Sequence, residues 1–105
     1  MKTIYNEQEL AKYRSEEDHF AIVISSISGC EDCKYHIENT KAIEHLFPDI
    51  EFIEYSMELP EDLPIFMFGG APSTYLFING VRVYEEHGVK QKLELVNIIK
   101  KWINL

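Results

Sequence analysis

Phe20-Ala21-Ile22-Val23-Ile24 is an unbroken apolar run with three β-branched residues. A strand with one wet face alternates apolar and polar side chains, so a continuous run predicts a strand covered on both faces, as in the middle of a mixed or parallel sheet. The other elements are consistent with that constraint. Asn6 followed by Glu9 has the capping-box spacing, with Asn as the cap, and predicts a short polar helix to about Arg14. From Cys33 the apolar positions Ile37, Ile43, Leu46 and Phe47 share one helical face, and Pro48 marks the stop. Ile50 to Tyr55 predicts a second strand, and Pro60 to Gly70 a loop with a short proline-started helix. Thr74 to Ile78, the pair Asn79-Gly80 and Val81 to Tyr84 give the strongest hairpin signal in the chain. Gln91 to Leu105 predicts an amphipathic helix with Leu95, Ile99, Trp102 and Ile103 on one stripe. The order is helix, strand, helix, strand, short helix, hairpin, helix. It predicts an α/β fold, a central mixed sheet flanked by helices on both faces.

With 105 residues the chain is expected to be a single domain, residues 1–105, and 46% apolar residues suffice for an ordinary core. Such a core needs neither metal nor disulfide, which leaves the two cysteines for chemistry. The formal charge of -8, with ten Lys and Arg scattered along the chain, argues against a nucleic acid partner. Residues 1–9 lack the apolar stretch of a signal peptide, and no run approaches the ~20 apolar residues that cross a bilayer. The expectation is a cytoplasmic protein, where a lone cysteine pair is usually catalytic or metal-binding.

The pair is Cys30-Glu31-Asp32-Cys33, between the apolar strand and the first turn of the next helix. Free N–H groups and the positive dipole end of a helix stabilise a thiolate, so Cys30 is expected to be the nucleophile. Cys33, one turn on, is placed to attack the resulting mixed disulfide as the resolving thiol. Glu31 and Asp32 act in the opposite sense and predict a pair nearer the reducing end of the range. Three other readings are weaker. Buried inert thiols sit badly with Gly29 before the pair and two acids inside it. A metal site would have Cys30, Cys33 and His36 but no fitting fourth ligand, since His45 is too far along the helix. Haem attachment needs a His where Lys34 stands. His19, His36, His45 and His87 are expected at the surface or partly buried, Ile65 to Phe68 and Trp102 in the core.

Several spaced positions together resemble the thioredoxin family over nearly the whole chain, and especially the short thioredoxin-like proteins of low-GC Gram-positive bacteria. They are Cys30-Glu31-Asp32-Cys33, Pro60 and Pro64, Gly70-Ala71-Pro72, Phe77 with Asn79-Gly80, and Gly88. The resemblance implies a thioredoxin fold in which Pro72 is the cis-proline facing the disulfide and Ala71 offers its backbone to an extended substrate. The chain departs from the family pattern twice. Ser28-Gly29 precede Cys30 where the family has Trp, and Ile24 stands where the family buries an acid that helps deprotonate the second cysteine.

The sequence therefore predicts a monomeric bacterial thiol–disulfide oxidoreductase without cofactor or metal, working mainly as a reductase. Its substrate would be a disulfide-containing protein or a low-molecular-weight thiol compound, and its electron donor an unidentified reductase or thiol. The rival is a non-catalytic module of the same fold, acting as a redox sensor, metal-binding or partner-binding protein.

Overall fold

In the computed structural model, which describes residues 1–15, 19–58 and 70–103, the apolar run is the core of the central strand of a sheet. The strands are β1 (Lys2–Ile4), β2 (Phe20–Ile27), β3 (Glu51–Met57), β4 (Ser73–Ile78) and β5 (Val81–His87), in the spatial order β1-β3-β2-β4-β5. β2 pairs parallel to β3 and antiparallel to β4, which makes the sheet mixed. The helices among the described residues are α1 (Glu7–Ser15), α2 (Glu31–Ile43) and α3 (Lys92–Ile103).

Alternation along β2 feeds two separate cores. Ala21 and Val23 pack with Ile53, Tyr55, Tyr75 and Phe77 and with Leu10 of α1. Ile22 packs on the other face with Phe52 and Leu76, Ile43 of α2, and Leu95 and Ile99 of α3. Residues 21–24 are all at most 1% exposed, so both faces of β2 are covered, as the run required.

Local signals set most boundaries. Asn6 Oδ1 accepts from the Glu9 backbone N–H (2.9 Å), and Glu9 Oε2 accepts in return from the Tyr5 N–H (2.7 Å), one residue before the cap. Asn79 and Gly80 both have positive φ, 50° and 81°, as a two-residue hairpin of this hand requires. Asn79 also binds His19, the residue before β2, through its backbone N–H and its side chain, tying the hairpin to the entry of the central strand.

Several expectations change. β1 was not anticipated; three residues carry no periodic signal, and the strand exists because Lys2, Thr3 and Ile4 pair with residues 53–55 of β3. β2 and β5 run on to Ile27 and His87, held by ladder pairing beyond their apolar stretches. Leu46 is 53% exposed rather than on the core face. α2 distorts at Ile43 (φ -106°, ψ -2°) into a short 3-10 turn over Glu44–Leu46, which turns Leu46 outward while Phe47 is buried as expected. His36, expected at or near the surface, is fully buried. Trp102 is half-buried against the α2–α3 core. The loop, short helix and Ile65 to Phe68 patch expected between Pro60 and Gly70 lie outside the described residues apart from Gly70. Among the described residues no helix is long and apolar enough to cross a membrane.

His36 bolts α2 to two other elements. Its Nδ1 accepts from the Lys90 backbone N–H (3.1 Å), which places the ring proton on Nε2, and that N–H donates to Thr74 Oγ1 of β4 at 2.7 Å. Burial, reinforced by the charge of Lys90, lowers its pKa from 6.5 to about 4. Asn39 Nδ2, one turn further along α2, donates to the Lys90 carbonyl (2.9 Å), so the segment before α3 is held at two points.

Two outcomes test this packing. Leu95→Ala should lower stability by about 3 kcal/mol in urea unfolding through lost burial and a residual cavity. Leu93→Ala, at a 70% exposed site on the same helix, should stay within about 0.5 kcal/mol of wild type. The unfolded chain binds a proton at His36 near pH 6.5 and the folded chain only near 4, so stability falls as pH drops through that window. The loss is on the order of 3 kcal/mol and is complete below about pH 4. The urea midpoint of His36→Gln should depend less steeply on pH between 6.5 and 4; parallel profiles for the two proteins would contradict the assignment.

Candidate active site

β2 leads straight into the cysteine pair. The chain leaves the sheet at Ile27 and turns through Gly29, whose φ of +80° lies in the left-handed region that glycine enters without strain. The Cys30 N–H closes the turn on the Ile27 carbonyl (3.2 Å), while the Ser28 N–H bonds the Met57 carbonyl of β3 (2.9 Å). Cys30 is the N-cap of α2, with extended backbone (φ -91°, ψ 109°), and its Sγ accepts from the Cys33 backbone N–H at 3.1 Å. A sulfur thus occupies the position where a Ser or Asp oxygen would cap a helix, facing the positive end of the helix dipole.

Cys30 and Cys33 form a disulfide, with their Cα atoms 5.2 Å apart. The two sulfurs are not equivalent. Cys30 is half-exposed, whereas Cys33 is 2% exposed and faces inward. Glu31 and Asp32 between them are exposed, so the turn is a surface feature with one buried end.

The Gly70-Ala71-Pro72 segment enters β4 at the same end of the sheet, because Ser73 pairs with Ser25, two residues before Ile27. The Ala71–Pro72 peptide bond is cis. Pro72 is buried and Ala71 half-buried. Hydroxyls and amides hold this segment from three sides. Ser25 Oγ (3.0 Å) and Ser73 Oγ (2.9 Å) both donate to the Gly70 carbonyl, and the Gly88 N–H donates to the Pro72 carbonyl (2.8 Å). Ser73 Oγ also lies 2.7 Å from His87 Nδ1.

A cleft of about 480 Å³ opens beside the disulfide on the β3 side. Cys30 and Cys33 line it together with Ser26, Glu54, Ser56 and others, but Ala71 and Pro72 do not. The cysteines and the proline segment therefore share one end of the sheet, and the cleft belongs to the cysteines. Ser26 Oγ donates to Glu54 Oε2 across the β2–β3 pair (2.7 Å).

Glu54, His36 and the hydroxyls of Ser25 and Ser73 were not singled out from the sequence as parts of a site built this way. For Glu54 a signal existed, a carboxylate inside the apolar strand Ile50 to Tyr55. His36 could not serve a metal beside the two sulfurs in this arrangement, since both ring nitrogens are engaged with Thr74 and Lys90.

No protein-family model and no curated protein matches the sequence. Solved structures do. A thioredoxin from Fasciola hepatica superposes with a TM-score of 0.80 at 16% identity, covering 96% of this chain and 98% of its own. Thioredoxin f2 of Chlamydomonas reinhardtii gives 0.78 at 15% identity over 97% and 95%. A mutant thioredoxin of Halobacterium salinarum gives 0.81 at 18% identity over 99% and 91%. With strand order, helix placement and these superpositions in agreement, the chain has the thioredoxin fold.

Proposed function

We propose that this protein is a thiol–disulfide oxidoreductase working chiefly as a disulfide reductase. The observation that carries the proposal is the asymmetry of the cysteine pair at the head of α2, Cys30 accessible and capping the helix, Cys33 buried behind it. That is the geometry a two-step exchange needs. The Cys30 thiolate attacks a substrate disulfide, one substrate sulfur leaves with its electron pair and takes a proton, and the other stays bound to Cys30. The Cys33 thiolate then attacks Cys30 Sγ, the second substrate thiol departs, and the Cys30–Cys33 disulfide forms. An external thiol or reductase returns the pair to the dithiol.

Substrate positioning falls to the proline segment. Ala71 precedes a buried Pro72 at the same end of the sheet, and its backbone is the group we assign to an extended disulfide-bearing chain. The substrates would be disulfide-containing proteins or low-molecular-weight disulfides in a bacterial cytoplasm, met by a monomeric single-domain protein that needs no metal or cofactor. Glu31 and Asp32 beside the sulfurs disfavour a thiolate and so favour a reducing pair. The absence of an aromatic residue before Cys30 favours a second reading, a redox sensor or partner-binding module without useful turnover.

A redox titration followed by alkylation and mass measurement tests the proposal. The expected result is a two-electron transition at roughly -200 to -270 mV. A potential more oxidising than about -150 mV would rule out the reductase direction. Cys30→Ser should abolish disulfide reduction and Cys33→Ser should trap the mixed disulfide. Equal activity of wild type and Cys30→Ser would leave the non-catalytic module as the answer.

A further inference from the structure

Resolving a mixed disulfide requires a second thiolate, and the chain has to make it at Cys33. That sulfur is poorly placed to ionise on its own. It is 2% exposed, and burial disfavours a thiolate. The capping interaction serves the other cysteine, because the Cys33 N–H is directed at Cys30 Sγ. A proton acceptor inside the cleft would remove the difficulty.

Three carboxylates line the cleft with the cysteines, Glu31, Glu54 and Glu58. Glu31 and Glu58 are exposed, and Glu54 alone of the three is half-buried. Its position follows from the strand. Side chains alternate along β3, so Glu54 is on the same face as Phe52, which packs against the core beneath α2 and α3. In the parallel pairing it lies opposite Ile24, and Ser26, two residues further along β2 on the same face, fixes one of its carboxylate oxygens. The carboxylate is thus held on the sheet side of the cleft, under the helix that carries Cys33.

We infer that Glu54 is the group that accepts the Cys33 proton during resolution, a role that rests on the dithiol mechanism proposed above. The proton passes from Cys33 Sγ to the Glu54 carboxylate across the cleft. The new thiolate attacks Cys30 Sγ, the bond from Cys30 to the substrate sulfur breaks, and its electron pair leaves with that sulfur. Glu54 then yields the proton to the departing thiolate or to solvent through the open cleft, so one turnover leaves it unchanged.

A bystander carboxylate would have the opposite effect. A negative charge beside a thiol only raises the cost of the thiolate, so neutralising it should speed resolution. A proton acceptor, when neutralised, should slow it. The sign of one rate change separates the two roles.

The test uses the reduced protein and 5,5′-dithiobis(2-nitrobenzoate) in stopped flow. The first release of chromophore reports attack by Cys30 and the second reports resolution by Cys33. Glu54→Gln, which can still accept from Ser26, should slow the second release at neutral pH by about tenfold or more. The first release should change little. The deficit should shrink as pH rises towards the ordinary thiol range near ~8.5, and Glu54→Asp should recover part of the rate. Ser26→Ala, which keeps the carboxylate but frees it, should give a smaller slowing and serves if Glu54→Gln does not fold. A second release in Glu54→Gln as fast as in wild type, or faster, overturns the inference while the dithiol mechanism stands. A wild-type protein with no second release overturns both.

Discussion

Burial of β2 on both faces is the constraint from which the rest of the structure follows. Its backbone is paired on one side to β3 and on the other to β4, and residues 21–24 feed two cores at once. A strand so placed cannot end in another strand without leaving the sheet, and the exit falls at Ile27, where Gly29 supplies the left-handed conformation of the turn. The helix that follows begins with a cysteine as its cap. The cysteine pair is thus anchored through a short turn to the central strand of the sheet, which is how a surface group can be held in fixed geometry.

Opposing electrostatic influences meet at that anchor. The N–H groups and positive dipole end at the start of α2 favour negative charge on Cys30, and Glu31 and Asp32 in the same turn oppose it. Both acids also stabilise the helix N-terminus. The buried partner, Cys33, contributes the N–H that caps Cys30 and shares its cleft with Ser26 and Glu54 of the sheet.

The proline segment is held by its own strand and by two segments distant in sequence. Ser25 of β2, Ser73 of β4 and Gly88 after β5 all bond backbone groups between Gly70 and Pro72. His36 performs a related service for α2, joining it to Thr74 of β4 and to the segment leading into α3. Buried hydroxyls and one neutral imidazole therefore fix the two halves of the site relative to each other. The neutral form of His36 is required because both bonds, one accepted and one donated, use opposite sides of the ring.

The local patterns settled a good deal by themselves. The buried central strand, the capped helix after Asn6, the Asn79-Gly80 hairpin and the cysteine pair at the head of a helix are all legible within a few residues, because each depends on periodicity, turn chemistry or capping. The place of Cys30 and Cys33 at the head of a helix was legible from the helical pattern that follows them. Tertiary structure decided what depends on pairing between distant segments. Lys2, Thr3 and Ile4 form a strand only because β3 presents a free edge, and His36 is buried only because β4 and the Lys90 segment close over it. Glu54 is the sharpest case. A strand reverses its faces with a shift of one residue, so the β2–β3 register that sets Ile24 opposite Glu54 is what sends this carboxylate into the cysteine cleft and not to the other side of the sheet.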